Sequence, residues 1–234
     1  NNSKFKILIV EDSEFVNNTV NTTLGEMGYT CEQAFDYETA SNMLQNSEYD
    51  FIVLDLNLPD AYGEELVQDV KSLTKAKIIV LTAETDVQSR ENLFKLGILD
   101  YIVKDKYFNN SVVSIHDTIQ SITKNDITTI LVIDDSKLIR KHIESILIVR
   151  NYKIVEAENA ESGLATIKSH TLNLIILDME LPDKHGLDVV REIKAMPEFC
   201  PLPIIAISGL HNTETVCDCL KHGTPDFLKK PFNL

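Results

Sequence analysis

Glu11, Asp12, Asp55, Thr82 and Lys104 are the residues in the first half of this chain whose types and spacing could do chemistry together. Asp134, Asp135, Asp178, Ser208 and Lys230 are their counterparts in the second half. Asp55 closes the apolar run of FIVLDLNLPD (51–60), and Asp178 closes that of LIILDMELPD (174–183). Each acidic pair also follows an apolar run, in FKILIVEDSEF (5–15) and TTILVIDDSKL (128–138). Three carboxylates brought together repel and raise one another's pKa. A divalent cation resolves that conflict. Mg²⁺ favours oxygen donors, takes one or two carboxylates, and keeps waters that a phosphate can replace. A carboxylate not consumed by the metal can attack phosphorus, since Asp serves as a covalent phosphoryl acceptor. The metal and a lysine would neutralise charge on the group in transfer. Thr82 and Ser208 offer hydroxyls to a phosphate oxygen, and Ala83 and Gly209 beside them are small enough to leave access.

Each of these residues alone has a plainer role. An acid at a strand end often caps a helix, and a strand-end Ser or Thr often opens a turn. Five elements in one order, twice, leave those roles little room. The offset is 123 residues for the acids (12 to 135, 55 to 178) and 126 for the last two elements (82 to 208, 104 to 230). The three extra residues therefore fall between 178 and 208, in the region of MPEFCPLP. IIVLTAE (78–84) returns as IIAISGL (204–210), and DYIVKDKY (100–107) as DFLKKPFN (226–233). A period this long is no solenoid repeat; it reads as one domain duplicated.

The elements that must position these residues alternate strand and helix. KILIV (6–10) reads as the first strand, and Ser13 can cap the helix that follows. That helix carries an apolar stripe of Val16, Val20, Leu24 and Met27, and Gly28 stops it. Further strands are expected near 29–34, 51–55, 77–82 and 100–103, with helices near 37–46, 62–73, 86–96 and 109–124. FIVL and IIVL are apolar at every position, so both faces must be covered, as in a parallel sheet between helices. The expected fold is α/β, with two flavodoxin-like, doubly wound, five-stranded parallel sheets. Chemistry in such sheets gathers at the carboxyl ends of the strands. The expected division is residues 1–124, a linker at 125–129, and residues 130–234. No counterpart of the helix at 109–124 follows Phe232, so the chain is expected to be cut from a longer protein.

Hydrophobic residues make up 44% of the 234 and charged residues 25%, as in ordinary globular proteins. No apolar run is long enough for a membrane span, and the N-terminus lacks a secretory signal pattern. Residues 1–126 carry 10 Lys and Arg against 21 Asp and Glu, and residues 127–234 carry 12 against 15. Such a surface is repelled by a phosphate backbone, so direct nucleic-acid binding is not expected. The cysteines Cys31, Cys200, Cys217 and Cys219 match no zinc or disulfide spacing. A metal site at Cys217 and Cys219 with His211 and His222 is disfavoured, because residues i and i+2 of a helix point to different sides. A reducing, cytoplasmic compartment is the expectation.

With these motifs in hand, each copy resembles a receiver domain of the two-component response regulators. The resemblance covers nearly the whole chain. It rests on EDS and DDS after strand one, on Asp55 and Asp178 followed by Leu-Pro and by Gly63 and Gly186, on Thr82 and Ser208, and on Lys104 and Lys230. It implies that Asp55 and Asp178 are the phosphoacceptors. It implies that Glu11 with Asp12, and Asp134 with Asp135, hold Mg²⁺, and that the backbone carbonyls of Asn57 and Glu180 complete the set. Thr82 and Ser208 would move toward the phosphoryl group, and Tyr101 and Phe227 would turn inward in response. The implied donor is a histidine kinase or histidine phosphotransfer protein. A C-terminal output domain such as a diguanylate cyclase, and a homodimer, are further partners of this kind. The module itself would be a regulatory phosphoacceptor and not an enzyme.

The chain departs from the family pattern at four places. Lys230 is followed by the usual Pro231, but Lys104 is followed by Asp105, which implies a trans, reshaped loop in copy one. Glu11 stands where Asp is commoner. Asn57 differs from Glu180, and Glu84 from Leu210, at positions implied to line the path of hydrolytic water. The two phosphoryl groups are therefore expected to differ in lifetime. The competing reading makes one copy the switch and the other a docking unit. A haloacid-dehalogenase-like phosphatase would need Asp-x-Asp on strand one, where this chain has adjacent acids.

Overall fold

The structure is a computed structural model describing residues 5–83, 85–106, 108–209 and 226–230. Glu84, Leu210, Pro231 and the Cys217/Cys219 segment with His211 and His222 lie outside the described residues. The chain divides into two compact units between Ser121 and Ile122.

In the first unit the strands are β1 (Lys6–Val10), β2 (Thr30–Ala34), β3 (Phe51–Leu54), β4 (Lys77–Thr82) and β5 (Asp100–Val103). Between and after them run α1 (Glu14–Glu26), α2 (Tyr37–Asn46), α3 (Gly63–Leu73), α4 (Val87–Lys95) and α5 (Asn109–Asn125). The sheet order is β2-β1-β3-β4-β5, and all its pairings are parallel. The second unit has β6 (Thr129–Ile133), α6 (Lys137–Val149), β7 (Lys153–Ala157), α7 (Ala160–Ser169), β8 (Leu174–Asp178), α8 (Gly186–Ala195), β9 (Ile204–Ser208) and β10 (Asp226–Lys229). Its order, β7-β6-β8-β9-β10, repeats the first, again in parallel.

The sheet interiors follow from the apolar runs. Alternate residues of β6 feed opposite faces: Leu131 and Ile133 join one core with α7 and α8, and Ile130 and Val132 join another with Ile143 of α6. In the first unit Leu8, Ile52, Leu54 and Val80 pack with Ala40, Leu66 and Val70 of α2 and α3. The stripe Val112, Ile115, Ile119 and Ile122 of α5 is buried as its spacing predicts.

Helix ends are set by local chemistry. Ser13 and Ser136 accept hydrogen bonds from the Val16 and Ile139 amides, at 3.5 and 3.4 Å. Gly28 ends α1 at φ +93°, and Asn151, 123 residues on, ends α6 at φ +62°. Asn is the side-chain residue that tolerates this left-handed position best.

Gly63 and Gly186 occupy matching positions for different reasons. Gly63 has φ +66°, and a Cβ there would meet nothing. At Gly186 a Cβ would lie 2.6 Å from Met179 Cα and 2.8 Å from the Asp178 carbonyl oxygen. Two backbones touch there, directly behind Asp178. Gly186→Ala is expected to cost about 1–3 kcal/mol by overpacking. Gly63→Ala should cost about 1–2 kcal/mol through backbone strain alone. Urea denaturation of each variant checks both, with Gly186→Ala shifting only the second unit's transition.

Candidate functional site

The acids converge because β1 and β3 are neighbours and end at the same edge. The Asp55 amide donates to Val10 O at 2.9 Å, which sets the acid beside the end of β1. The Glu11 amide donates to Ala34 O at 3.1 Å, as Asp134 does to Ala157 O at 3.2 Å. Carboxylate oxygens of Glu11, Asp12 and Asp55 lie within 4.8 Å of one another, and so do those of Asp134, Asp135 and Asp178. In each trio the first acid and the strand-end Asp are buried, and the middle acid is exposed.

A lysine closes each trio. The Lys104 amide donates to Thr82 O, and the Lys230 amide to Ser208 O, both at 2.8 Å. β5 thus hangs the lysine off the end of β4. Lys104 Nζ reaches Asp55 Oδ2 and Glu11 Oε2, each at 2.7 Å. Lys230 Nζ reaches Asp134 Oδ2 at 2.7 Å and Asp178 Oδ2 at 2.9 Å. One ammonium therefore bridges two carboxylates in both units.

Burial pushes the Glu11 carboxyl above its ordinary value; Lys104 pulls it back, and the Asp55 charge adds to the rise. Burial likewise raises Asp134, against Lys230 and the Ser136 amide. Burial opposes the charge on each lysine, yet the close carboxylates of Asp55 and Glu11 hold Lys104 above its ordinary value. Asp134 and Asp178 do the same for Lys230. These acids are uncomfortable as ions in the fold, and the lysines cover only part of the deficit.

The donor set fits a hard divalent cation. It consists of carboxylate oxygens, two from buried acids and one from an exposed acid in each trio. Glu11 Oε2 is buried and accepts no well-aligned hydrogen bond, although the Lys104 ammonium is within ion-pair range. The residues at the two remaining positions of the implied set are exposed at the same edge. The Asn57 amide donates to Asp55 Oδ1 at 3.4 Å and the Glu180 amide to Asp178 Oδ1 at 3.3 Å.

Thr82 and Ser208 end β4 and β9 and are both buried. Tyr101 is 6% exposed, already inward, with the Arg90 guanidinium 5.9 Å from its ring centre and 5.7 Å from that of Phe94. Phe227 is half-buried against the cluster of Met179 and Ala206. Asp105, the residue in place of Pro, holds its loop through Ser111. It accepts from the Ser111 hydroxyl at 2.7 Å and from the Ser111 amide at 3.2 Å.

Sequence reasoning missed a second role for the LPD motif. Asp60 accepts from the Tyr37 and Glu38 amides at 2.8 and 2.9 Å, and Asp183 from those of Ala160 and Glu161 at 3.0 Å each. The loop after the strand-end Asp is thus pinned to the start of the second helix of each unit. The Asp repeated at the same place in both copies was the available signal.

Among known proteins, the model of the response regulator receiver domain matches residues 7–115 and 130–234. A cyclic di-GMP phosphodiesterase of Thermotoga maritima is 31% identical over 106 residues, 45% of this chain and 28% of its own. The transcriptional regulatory protein KdpE of Staphylococcus aureus is 33% identical over 105 residues, 45% of this chain and 44% of its own. The matches thus span less than half the length of either relative. A solved structure described as a two-component system response regulator/GGDEF domain protein aligns over 98% of this chain and 93% of its own, with TM-score 0.77 and 29% identity. With two family matches that together take in most of its length, this chain belongs to the response regulator receiver domain family, present twice in tandem.

Proposed function

We propose that each unit accepts a phosphoryl group from a phosphohistidine donor, on Asp55 and on Asp178, with Mg²⁺ as the cofactor. The units are assigned to residues 1–124 and 130–234, joined by 125–129. The observation that carries the reading is the duplicated trio with its bridging lysine. Glu11, Asp12, Asp55 and the Asn57 carbonyl would hold the metal in one unit, and Asp134, Asp135, Asp178 and the Glu180 carbonyl in the other. When bound, Mg²⁺ supplies charge neutralisation and a template for the phosphoryl oxygens.

The chain's own residues do the rest. An aspartate oxygen forms the bond to phosphorus while the phosphorus–nitrogen bond breaks, and the imidazole leaves with the electron pair. Lys104 and Lys230 already touch the attacking carboxylates and are placed to neutralise the incoming group. Thr82 and Ser208 donate hydroxyls to it. Tyr101 and Phe227 follow, which alters the surface of the β4–β5 and β9–β10 edges, a local charge event read by a two-state element.

The donor is a histidine kinase or a histidine phosphotransfer protein, and the compartment is the cytoplasm. Among the described residues no helix is long and apolar enough to cross a membrane. The structural relative described with a GGDEF domain supports a C-terminal output domain, with a diguanylate cyclase as the first candidate. Both units carry every element of the set, which favours two switches over one switch and one docking unit.

Intact mass after incubation with acetyl phosphate and Mg²⁺ tests the reading. Wild type should gain two phosphoryl groups, and Asp55→Ala and Asp178→Ala one each; a protein that binds Mg²⁺ and gains none would contradict it.

A second prediction follows from the raised Glu11 carboxyl. A group raised in the fold favours folding below its unfolded pKa and loses that contribution as pH rises through the folded value. Ionised Glu11 therefore costs stability from about pH 4.5 upward in the metal-free protein. Glu11→Gln should raise the thermal midpoint in EDTA at pH 7, leave it nearly unchanged at pH 4, and weaken the stabilisation of the first unit by Mg²⁺. Melts of both proteins across that range, with and without Mg²⁺, check the sign.

A further inference from the structure

The two acidic trios rest on different supports. In the first unit Asn17 is fully buried in α1, and its Nδ2 donates to Glu11 O at 2.8 Å and Ala34 O at 2.9 Å. Its Oδ1 accepts from Gln33 Nε2 at 2.9 Å, and Gln33 also donates to Asn18 Oδ1 at 3.0 Å. In the second unit, 123 residues on, Arg140 stands for Asn17, Lys141 for Asn18, Glu144 for Asn21 and Glu156 for Gln33. Arg140 Nη1 donates to Asp134 O at 2.7 Å and Asp135 O at 3.2 Å, and its Nε to Glu156 Oε2 at 3.0 Å. Lys141 Nζ donates to Glu156 Oε1 at 2.8 Å and to Glu144 Oε2 at 2.7 Å. Three of these positions are joined in both units, Asn17, Asn18 and Gln33 by amides and Arg140, Lys141 and Glu156 by ions, and Glu144 extends the second network.

Both networks satisfy the carbonyl of the first acid, Glu11 or Asp134; Asn17 also bonds the Ala34 carbonyl of the neighbouring strand, whereas Arg140 also bonds that of Asp135. They differ in charge. The guanidinium bonds the backbone of Asp134 and Asp135 on one side and Glu156 on the other, so the positive member of that ion pair is the one attached to the acidic pair. Lys137 on the first turn of α6 adds to this, where α1 carries Glu14. A fixed positive charge next to a half-buried cation site opposes the entering ion, and about 1.4 kcal/mol of such repulsion is a tenfold loss of affinity.

Resting on the Mg²⁺ reading above, we propose that Arg140, tied by Glu156, is a positioning residue that lowers the second trio's affinity for a divalent cation below that of the first. The two units then load at different Mg²⁺ concentrations, and the first is primed at concentrations that leave the second largely empty.

A titration of the full ¹⁵N-labelled chain with Mg²⁺ tests this. The amides of Asp12 and Ser13 report one trio, and those of Asp135 and Ser136 the other, in the same sample. The second midpoint is expected about tenfold above the first. Arg140→Asn with Glu156→Gln should bring it to within about threefold. The reciprocal Asn17→Arg with Gln33→Glu should weaken the first trio several-fold and leave the second where it was. Where one double variant loses amide dispersion, the graft in the other unit decides. Equal midpoints in wild type, a tighter second trio, or grafts that move neither midpoint would overturn the proposal and leave the Mg²⁺ reading standing. Mg²⁺ shifts at neither trio would remove both.

Discussion

Three carboxylates held against their mutual repulsion at one sheet edge form the constraint on which everything else here depends. Free in water they would move apart. They stay because two are anchored at the ends of strands buried on both faces, where side-chain and backbone freedom is already spent. Burial, with the charge of the neighbouring strand-end aspartate added, leaves a raised carboxyl at Glu11 and Asp134. A lysine from the next strand but one bridges the gap in part, and it can do so only because its own amide is fixed to Thr82 or Ser208. The site is therefore an electrostatic debt carried by a stable α/β core, open to settlement by a cation on its exposed side.

The two copies meet that constraint with the same backbone and partly different residues. The close turn behind the strand-end aspartate needs a left-handed residue in one unit and an absent Cβ in the other, and glycine serves both. The carbonyl of the first acid of the pair is satisfied by Asn17 in one and by Arg140 in the other. Where copy one lacks the proline after its lysine, Asp105 and Ser111 fasten the loop by side-chain hydrogen bonds. Duplication followed by independent repair of each contact would leave this pattern. The consequence for function is that the two sites share geometry without sharing an electrostatic environment.

Much of this was legible in the residues. Strands such as FIVL and IIVL lie inside the sheets, and every helix expected in the first copy is present with ends within a residue or two. The repeat aligned the trios, the hydroxyls and the lysines without any structure. The capping role of Asp60 and Asp183 was missed because it joins residues more than 20 apart through one loop. The paired exchange of Asn17 with Gln33 for Arg140 with Glu156 was missed for another reason. An alignment of the copies shows four unlike residues, and their unity lies in contacts between a helix and a neighbouring strand.

By itself the sequence determined the α/β class, the duplication, the strand-end acids and the order of the five chemical elements, because periodicity and spacing are local properties of a chain. Only the tertiary structure decided which carboxylate oxygens share one lysine ammonium, that Tyr101 lies inward near Arg90, and that one acidic pair rests on amides and the other on an ion pair. Those are matters of distance between side chains brought together by parallel strand order, and distance across a sheet is not written in any single stretch of residues.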